Sequence, residues 1–418
     1  MMRVFPFRGW RPNREQVSRI VSHPYDVISR DEAKRDAAHN PVSFYHINRA
    51  EIDLPDDLNP YDDRVYQKAA DNLKAFKQQG LFIHDSQPLF YLYEQVMGDH
   101  RQLGLVATCH IEDYIQQRIV KHELTRKEKE EDRTRHIVVT GHNTGPVFLF
   151  YKSHPSLEDY LAGLSRQSKP EYDIVTDDGI RHTFWVVGEP SAIERIRILA
   201  ADIDKFYIAD GHHRAASSIN SALHFRKLDE HPDHDKDYLR FLTIIFPSNQ
   251  LRIMDYNRVV KDLNGFSPEE FMSRVAESFH IVPIPDNQDE SAKPKQRHHI
   301  GLYLEKQWYR LEPKPGLVLE NDVLQSLDVT ILYTLILQPI LGIGDPRTDK
   351  RIDFVGGIRG IKELVRLVDQ GQAKVAFAMV PTTIDELMHV ADDGLIMPPK
   401  STWFEPKLRS GLIMHQMI

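Results

Sequence analysis

Cysteine is almost missing from this 418-residue chain, in which Cys109 stands alone. One thiol excludes an intramolecular disulfide and any multi-cysteine metal site within the chain, and it fits a reducing compartment. Long apolar runs are missing too. The greasiest stretch, VTILYTLILQPILGI from Val329, is too short to cross a bilayer as a helix and is broken by Gln338 and Pro339. It reads as part of a buried helix from Val323 to Leu341. The opening residues, MMRVFPFRGWRPN, lack the apolar core of a secretory leader, so the expected location is cytoplasmic, with no membrane association. Excess positive charge is the third absence: a formal net charge of −8 argues against a broad polyanion-binding surface, and nucleic acid is not an expected partner. A local basic pocket for a small anion remains open.

What is present suits a globular protein of two domains. The hydrophobic fraction of 41% and charged fraction of 27% are those of a chain that buries a core, and no internal repeat or long low-complexity block interrupts it. The segment to about residue 50 is loop-rich, and Val65, Ala69, Leu73 and Phe76 then follow helical spacing up to Gly80. PLFYLYEQVMG and RQLGLVATCHIEDY form a hairpin-like pair of strands about GDH, and GPVFLFYK, RHTFWVVG and FYIAD add three more. The polar break LDEHPDHDKD marks a boundary near residue 235, giving an N-terminal domain 1–235 and a C-terminal domain 236–418 that completes a cleft. In the second part, Ser267 with Glu270 and Thr383 with Glu386 have the spacing of capping boxes, and PDNQDESAKPKQ (285–296) reads as a solvated loop. Hairpins mixed with single strand-to-helix steps predict an α+β fold.

The stretch FYIADGHHRAAS (206–217) carries the most chemistry. It runs a strand through Asp210 and Gly211 into a small-residue helix beginning at His212, His213 and Arg214. A glycine at such a junction allows a backbone shape that other residues resist, and the helix start presents free N–H groups and a positive dipole end. Arg214 can grip a phosphate or carboxylate through two parallel bonds, and the histidines can donate hydrogen bonds or move a proton near neutral pH. The bland reading, Asp210 as a cap and the histidines as structural groups, is outweighed by four functional side chains crowded at one junction.

Other segments point to the same chemistry less directly. KHELTRKEKEEDRTRHI (121–137) alternates charge and reads as an exposed, salt-bridged helix, yet His122, Glu123, Thr125 and Arg133 could fold over a bound phosphate. HELTR begins like a zinc-protease helix, but Arg126 stands where the second histidine must be, which rules that reading out. HPDHD at 231 reads as solvated loop rather than a metal site. HPYDVIS offers either a turn capped by Asp26 and Ser29 or, in Asp26, a general base for a hydroxyl. MPPKSTWFEPKLRSG near the C-terminus presents Lys400, Ser401, Thr402, Lys407 and Arg409, and reads as a second basic wall of a cleft, with Lys400 and Arg409 expected near it.

HPYDVIS, HELTRKEKEEDRTRH, ADGHHRAAS and MPPKSTWFEPKLRSG, in that order and spanning nearly the whole chain, resemble the prokaryotic domain-of-unknown-function 1015 family. The DGHHR element also resembles the phosphate-binding turn of the ParB/sulfiredoxin-like superfamily, which includes ADP-dependent free serine kinases. That resemblance implies a ParB/sulfiredoxin-like core with a large insertion between residues 26 and 210. It assigns the nucleotide phosphates to Asp210, Gly211, His212 and Arg214, with His213 in a less constrained slot. His212 occupies the place of the sulfiredoxins' catalytic cysteine, so thiol chemistry is not inherited.

The expected function is therefore a nucleotide-dependent phosphotransferase, using ADP or ATP with Mg2+, on a small hydroxylated metabolite, serine or phosphoserine being the leading choice. Asp26, His212 and His213 are the expected catalytic residues. Asp210, Gly211, Arg214, His122, Arg133 and Lys400 are the expected nucleotide-binding set, and no protein metal site is expected. Two alternatives are a nucleotide-binding regulatory module without turnover and a phosphatase of a small phosphorylated metabolite.

Overall fold

Only Gly98 and Asp99 separate two strand-forming runs, and a two-residue link forces them antiparallel: Phe90–Met97 pairs with His100–His110, Met97 opposite His100. Gly98 takes a positive φ of 61° at this turn. The computed structural model describes residues 2–233, 235–285 and 289–418. Its contacts divide the chain into one unit of Met1–Leu251 with Pro406–Ile418 and another of Arg252–Glu405. The tail thus returns to the first unit, and the break lies past the polar stretch near 235 because the strand Arg240–Pro247 pairs within the first unit.

In the first unit, nine described strands form a mixed sheet. From one edge its order is Ile119–Val120, Phe206–Asp210, Val147–Tyr151, Arg240–Pro247, His100–His110, Phe90–Met97, Arg181–Val187 and Tyr172–Val175, with Val4–Phe5 paired to His100–His110. The middle strands are largely buried because both faces are covered, and Val147–Tyr151 is apolar throughout. The α+β expectation holds.

The helix Asp63–Gln78 buries Val65, Ala69, Leu73 and Phe76, is capped by Asp62 and ends before Gly80, whose φ is 70°. Ser29, with Glu32, caps the helix Arg30–Ala37 in a complete capping box, while Asp26 takes no part in it.

The charged stretch 121–137 departs from its exposed-helix reading. Its helix runs Lys127–Thr140 and buries Asp132, His136, Ile137 and Thr140. Charge alternation misleads here because the inward face is polar. The facing helix, His212–Leu228, meets it with Ser217 and Ser221, whose hydroxyls lie 3.2 and 3.4 Å from the carbonyls of Glu130 and Thr134, both small enough for close approach. Ser217, Ser218 and Ser221 each donate to the carbonyl four residues back, at 2.6, 2.8 and 2.8 Å, so no hydroxyl is buried unsatisfied.

Cys109 lies wholly buried beside Thr243, and burial pushes its thiol far above the ordinary range. Native protein should therefore show no reactive thiol in a DTNB titration and one after unfolding in guanidinium; rapid native reaction would contradict this packing.

The second unit holds an antiparallel sheet, described in the order Phe279–Pro283, Gln307–Pro313, Ile300–Leu304, Val375–Ala378, Tyr256–Val260, Ile352–Gly356. Both predicted capping boxes form, at Ser267/Glu270 and Thr383/Glu386. The single helix expected over Val323 to Leu341 does not. Asp322 accepts the N–H groups of Leu324 and Gln325 and turns the chain, an α-helix spans only Asp328–Leu332, and a π-helical stretch follows at Tyr333–Leu337. Residues 286–288 of the predicted solvated loop and His234 of HPDHD lie outside the described residues.

Candidate functional site

The strand Phe206–Asp210 stops where Gly211 turns left-handed, at φ 92° and ψ 33°, and the helix His212–Leu228 starts at the next residue with no side-chain cap. Glycine is required for two reasons. The φ is costly for any L side chain, and a Cβ at Gly211 would sit 3.0 Å from Nε and Cζ of Arg214. The guanidinium of Arg214 thus lies directly against the turn. Gly211→Ala should lower stability by about 1–3 kcal/mol, read as a shift in the urea midpoint; an unchanged midpoint would mean that the turn relaxes freely.

Arg214 is only 7% exposed. Its Nη2 lies 2.8 Å from Asp210 Oδ2 and 3.5 Å from Asp26 Oδ2, its Nη1 donates to the carbonyl of Pro146, and its buried Nε has no partner. Lys407 Nζ stands 3.7 Å from Asp210 Oδ1. Burial alone would raise the Asp210 carboxyl, but Lys407 and Arg214 overturn that and hold it well below the usual carboxylate range. Asp26 and Asp210 keep 34% and 27% of their side chains exposed, so both are partly open to solvent while the arginine between them is sealed.

A second arginine approaches from the Lys127–Thr140 helix. Arg133 is held by Asp132 at 2.9 Å, donates to the carbonyl of Asn48 at 3.3 Å and lies 4.3 Å from the ring centre of Tyr25. A cavity of about 30 Å³ separates Arg133 from Arg214, walled by Tyr25, Asn143, Thr144, Gly145, Ser218 and Ser410 among others. It has room for about two waters. A nucleotide is far larger and would have to lie on the open side, by Asp26 and Asp210.

The three histidines behave differently. His212 is buried, 3.8 Å by Nδ1 from Glu123 and edge-on to His122 at 4.5 Å, and its Nε2 has no partner. Burial, then the neighbouring His122, holds it neutral well below the ordinary imidazole range. His122 is likewise pushed down by burial, to about 4. His213 Nε2 accepts the backbone N–H of Arg126 at 3.1 Å, which puts its proton on Nδ1 and fastens the 121–126 segment to the helix start.

Eight of the nine singled-out residues therefore meet around one turn: Asp26, His122, Arg133, Asp210, Gly211, His212, His213 and Arg214. Lys400 belongs to the second unit, where its carbonyl accepts from Arg258 at 2.9 Å. The tail's cation at the turn is Lys407. Arg409, expected as part of a basic wall, is instead buried against Asp178, Thr176 and His182. Tyr25 and Asp132 were not singled out; Tyr25 lies within HPYDVIS, and Asp132 was hidden in a run of alternating charge. Among the described residues no group of three or more His, Cys, Asp or Glu is arranged to hold a metal.

A family model described as "Protein of unknown function (DUF1015)" matches residues 4–330. No curated protein matches. Among solved structures, a mutant free serine kinase in complex with AMP is 14% identical with a TM-score of 0.36, covering 72% of this chain and 87% of its own. A conserved hypothetical protein from Pyrococcus furiosus is 16% identical with a TM-score of 0.33, covering 72% and 90%. Likenesses this slight carry no argument about chemistry.

Proposed function

We propose that this chain, which belongs to the DUF1015 family, is a nucleotide-dependent phosphotransferase acting on a small hydroxylated metabolite, with serine the first substrate to test. One observation carries the reading: a desolvated arginine pressed against a glycine turn at a helix N-terminus, between two carboxylates that stay partly open to solvent. The first-turn N–H groups, which an α-helix leaves without intrahelical partners, form a seat for phosphate oxygens, and Arg214, sealed behind the turn, holds Asp210 in place and adds positive charge to it. Lys407 adds charge at the rim.

Phosphoryl transfer asks mainly for positioning and for stabilisation of charge on the moving group. The acceptor hydroxyl gives its proton to Asp26 as its oxygen bonds to phosphorus, and the bond to the nucleotide's leaving oxygen breaks. Arg214, fixed behind the turn, supplies positive charge towards the transferring group. Neutral His212, through its unpartnered Nε2, can donate a hydrogen bond in the tautomer protonated there. His213 positions the 121–126 segment, which brings His122 to the turn. Asp210 is the carboxylate able to hold Mg2+, an ion that commonly binds through one or two carboxylates together with substrate phosphates, which leaves Asp26 free to take the proton.

The test is calorimetry with ADP and ATP, with and without Mg2+, beside product formation from serine. Arg214→Ala should weaken nucleotide binding by roughly tenfold or more and lower turnover with it, because the turn loses the buried charge that holds Asp210 and faces the phosphate seat. Unaltered nucleotide affinity in that variant would remove the phosphate seat from this turn.

A further inference from the structure

The second unit carries a pocket of about 410 Å³, a volume within the range of small-molecule sites. Its walls are apolar: Val329, Tyr333 and Leu337 from the helix with the π-helical stretch, and Ile352 and Phe354 from the edge strand. Arg258 also lines it, and its position there is unusual. In the strand Tyr256–Val260 side chains alternate, so Arg258 shares a face with Val260, which packs into the apolar cluster around Leu332 and Ile336. Arg258 is 3% exposed, and no described carboxylate forms an ion pair with it.

Two of its five N–H groups go to backbone carbonyls, those of Tyr256 and Lys400. Burial without an acid pushes its guanidinium down to about 10. A sealed cation costs several kcal/mol unless an anion joins it. Phe354 of the pocket stands 5.6 Å from the guanidinium, ring centre to Cζ, and the same pocket holds an unmet polar group, because the hydroxyl of Thr330 is buried without a hydrogen-bond partner. π-Helical turns often accompany such sites, the extra residue re-aiming side chains.

We propose that this pocket binds a small amphipathic carboxylic acid, its carboxylate on Arg258 and Thr330 and its aliphatic or aromatic body against the apolar walls. A monoanion suits the charge. The other arginine of the pocket, Arg347, is already paired with Asp345 at 2.9 Å, so a dianionic phosphate would lack a second free cation. The site lies wholly within the second unit and is independent of the phosphotransferase reading.

The experiment is calorimetric titration of the full chain with octanoate, 3-phenylpropionate and the uncharged 1-octanol. Both acids should bind saturably at one per chain, with octanol at least tenfold weaker. Arg258→Met should abolish the preference for the acid over the alcohol, and the near-isosteric Thr330→Val should weaken octanoate by about 3- to 10-fold, the worth of one hydrogen bond. Absence of saturable binding of either acid at millimolar concentration, equal affinity for octanol, or octanoate affinity unchanged in Arg258→Met would each overturn the proposal. If Arg258→Met does not fold, the acid-to-alcohol ratio in the wild type and the Thr330→Val titration decide it.

Discussion

Asp26→Asn should leave nucleotide affinity within about twofold of wild type while turnover with the accepted metabolite falls by 10²- to 10⁴-fold, the usual range for a lost general base. The separation follows from the geometry of Arg214. Its nearer partner is Asp210, at 2.8 Å against 3.5 Å for Asp26, and it is anchored again on the carbonyl of Pro146, so amidation of Asp26 leaves the guanidinium in place. Asparagine keeps the shape and loses the basicity. Calorimetry for affinity and single-turnover product formation for rate measure the two effects apart. Full turnover in Asp26→Asn would keep the phosphotransferase and discard this base. Nucleotide binding by wild type with no turnover on any hydroxylated metabolite would instead favour a regulatory module, the rival that needs the turn but not the carboxylate.

The second large effect is acid lability of the first unit. Burial holds His122 and His136 down at about 4, and His142, His182 and His415 at about 3. Nearby cations work in the same direction, Arg133 on His136, Lys77 on His142 and Arg409 on His182. These rings are neutral in the folded state, whereas in the unfolded chain they take a proton near pH 6.5. The unfolded state therefore binds more protons below pH 6.5, so stability is complete above that value and is lost as pH falls towards the folded values. Each ring contributes up to about 1.4 kcal/mol per pH unit below 6.5, and together they reach on the order of 5 kcal/mol by pH 5.5. That rivals the whole net stability of many domains. A melting temperature that drops steeply between pH 6.5 and 5, with proton uptake on unfolding, is the expected record. A flat profile over that range would mean that these rings are solvated or already charged.

Lys407 shows how motif and position divide the work of recognition. The tail was legible as unusually cationic, but its order pointed to Lys400 and Arg409 rather than to Lys407. Tertiary structure separates them: the chain returns to the first unit at Pro406, so Lys407 reaches Asp210, Arg409 is spent on Asp178, and Lys400 stays in the second unit. Charge along a sequence says how many cations a segment carries, whereas burial and the nearest carboxylate decide what each one does.

Local signals fared best where the physics is local. The turn at Asp210 and Gly211, the helix Asp63–Gln78 and the capping boxes at Ser267 and Thr383 depend on residues within a few positions of one another, and each was readable in order along the chain. The inward face of Lys127–Thr140 was not, because its polar residues are buried only by virtue of a small-residue helix that begins 85 positions after it starts. Arg258 was equally silent: it sits in an ordinary strand pattern, and its want of an acidic partner exists only once six strands and the π-helical stretch surround it. The sequence alone determined the chemistry on offer and the local shapes, since propensity, capping and glycine turns act over a few residues. Only the tertiary structure decided which charges are desolvated and which are paired, because both depend on neighbours brought together across hundreds of residues.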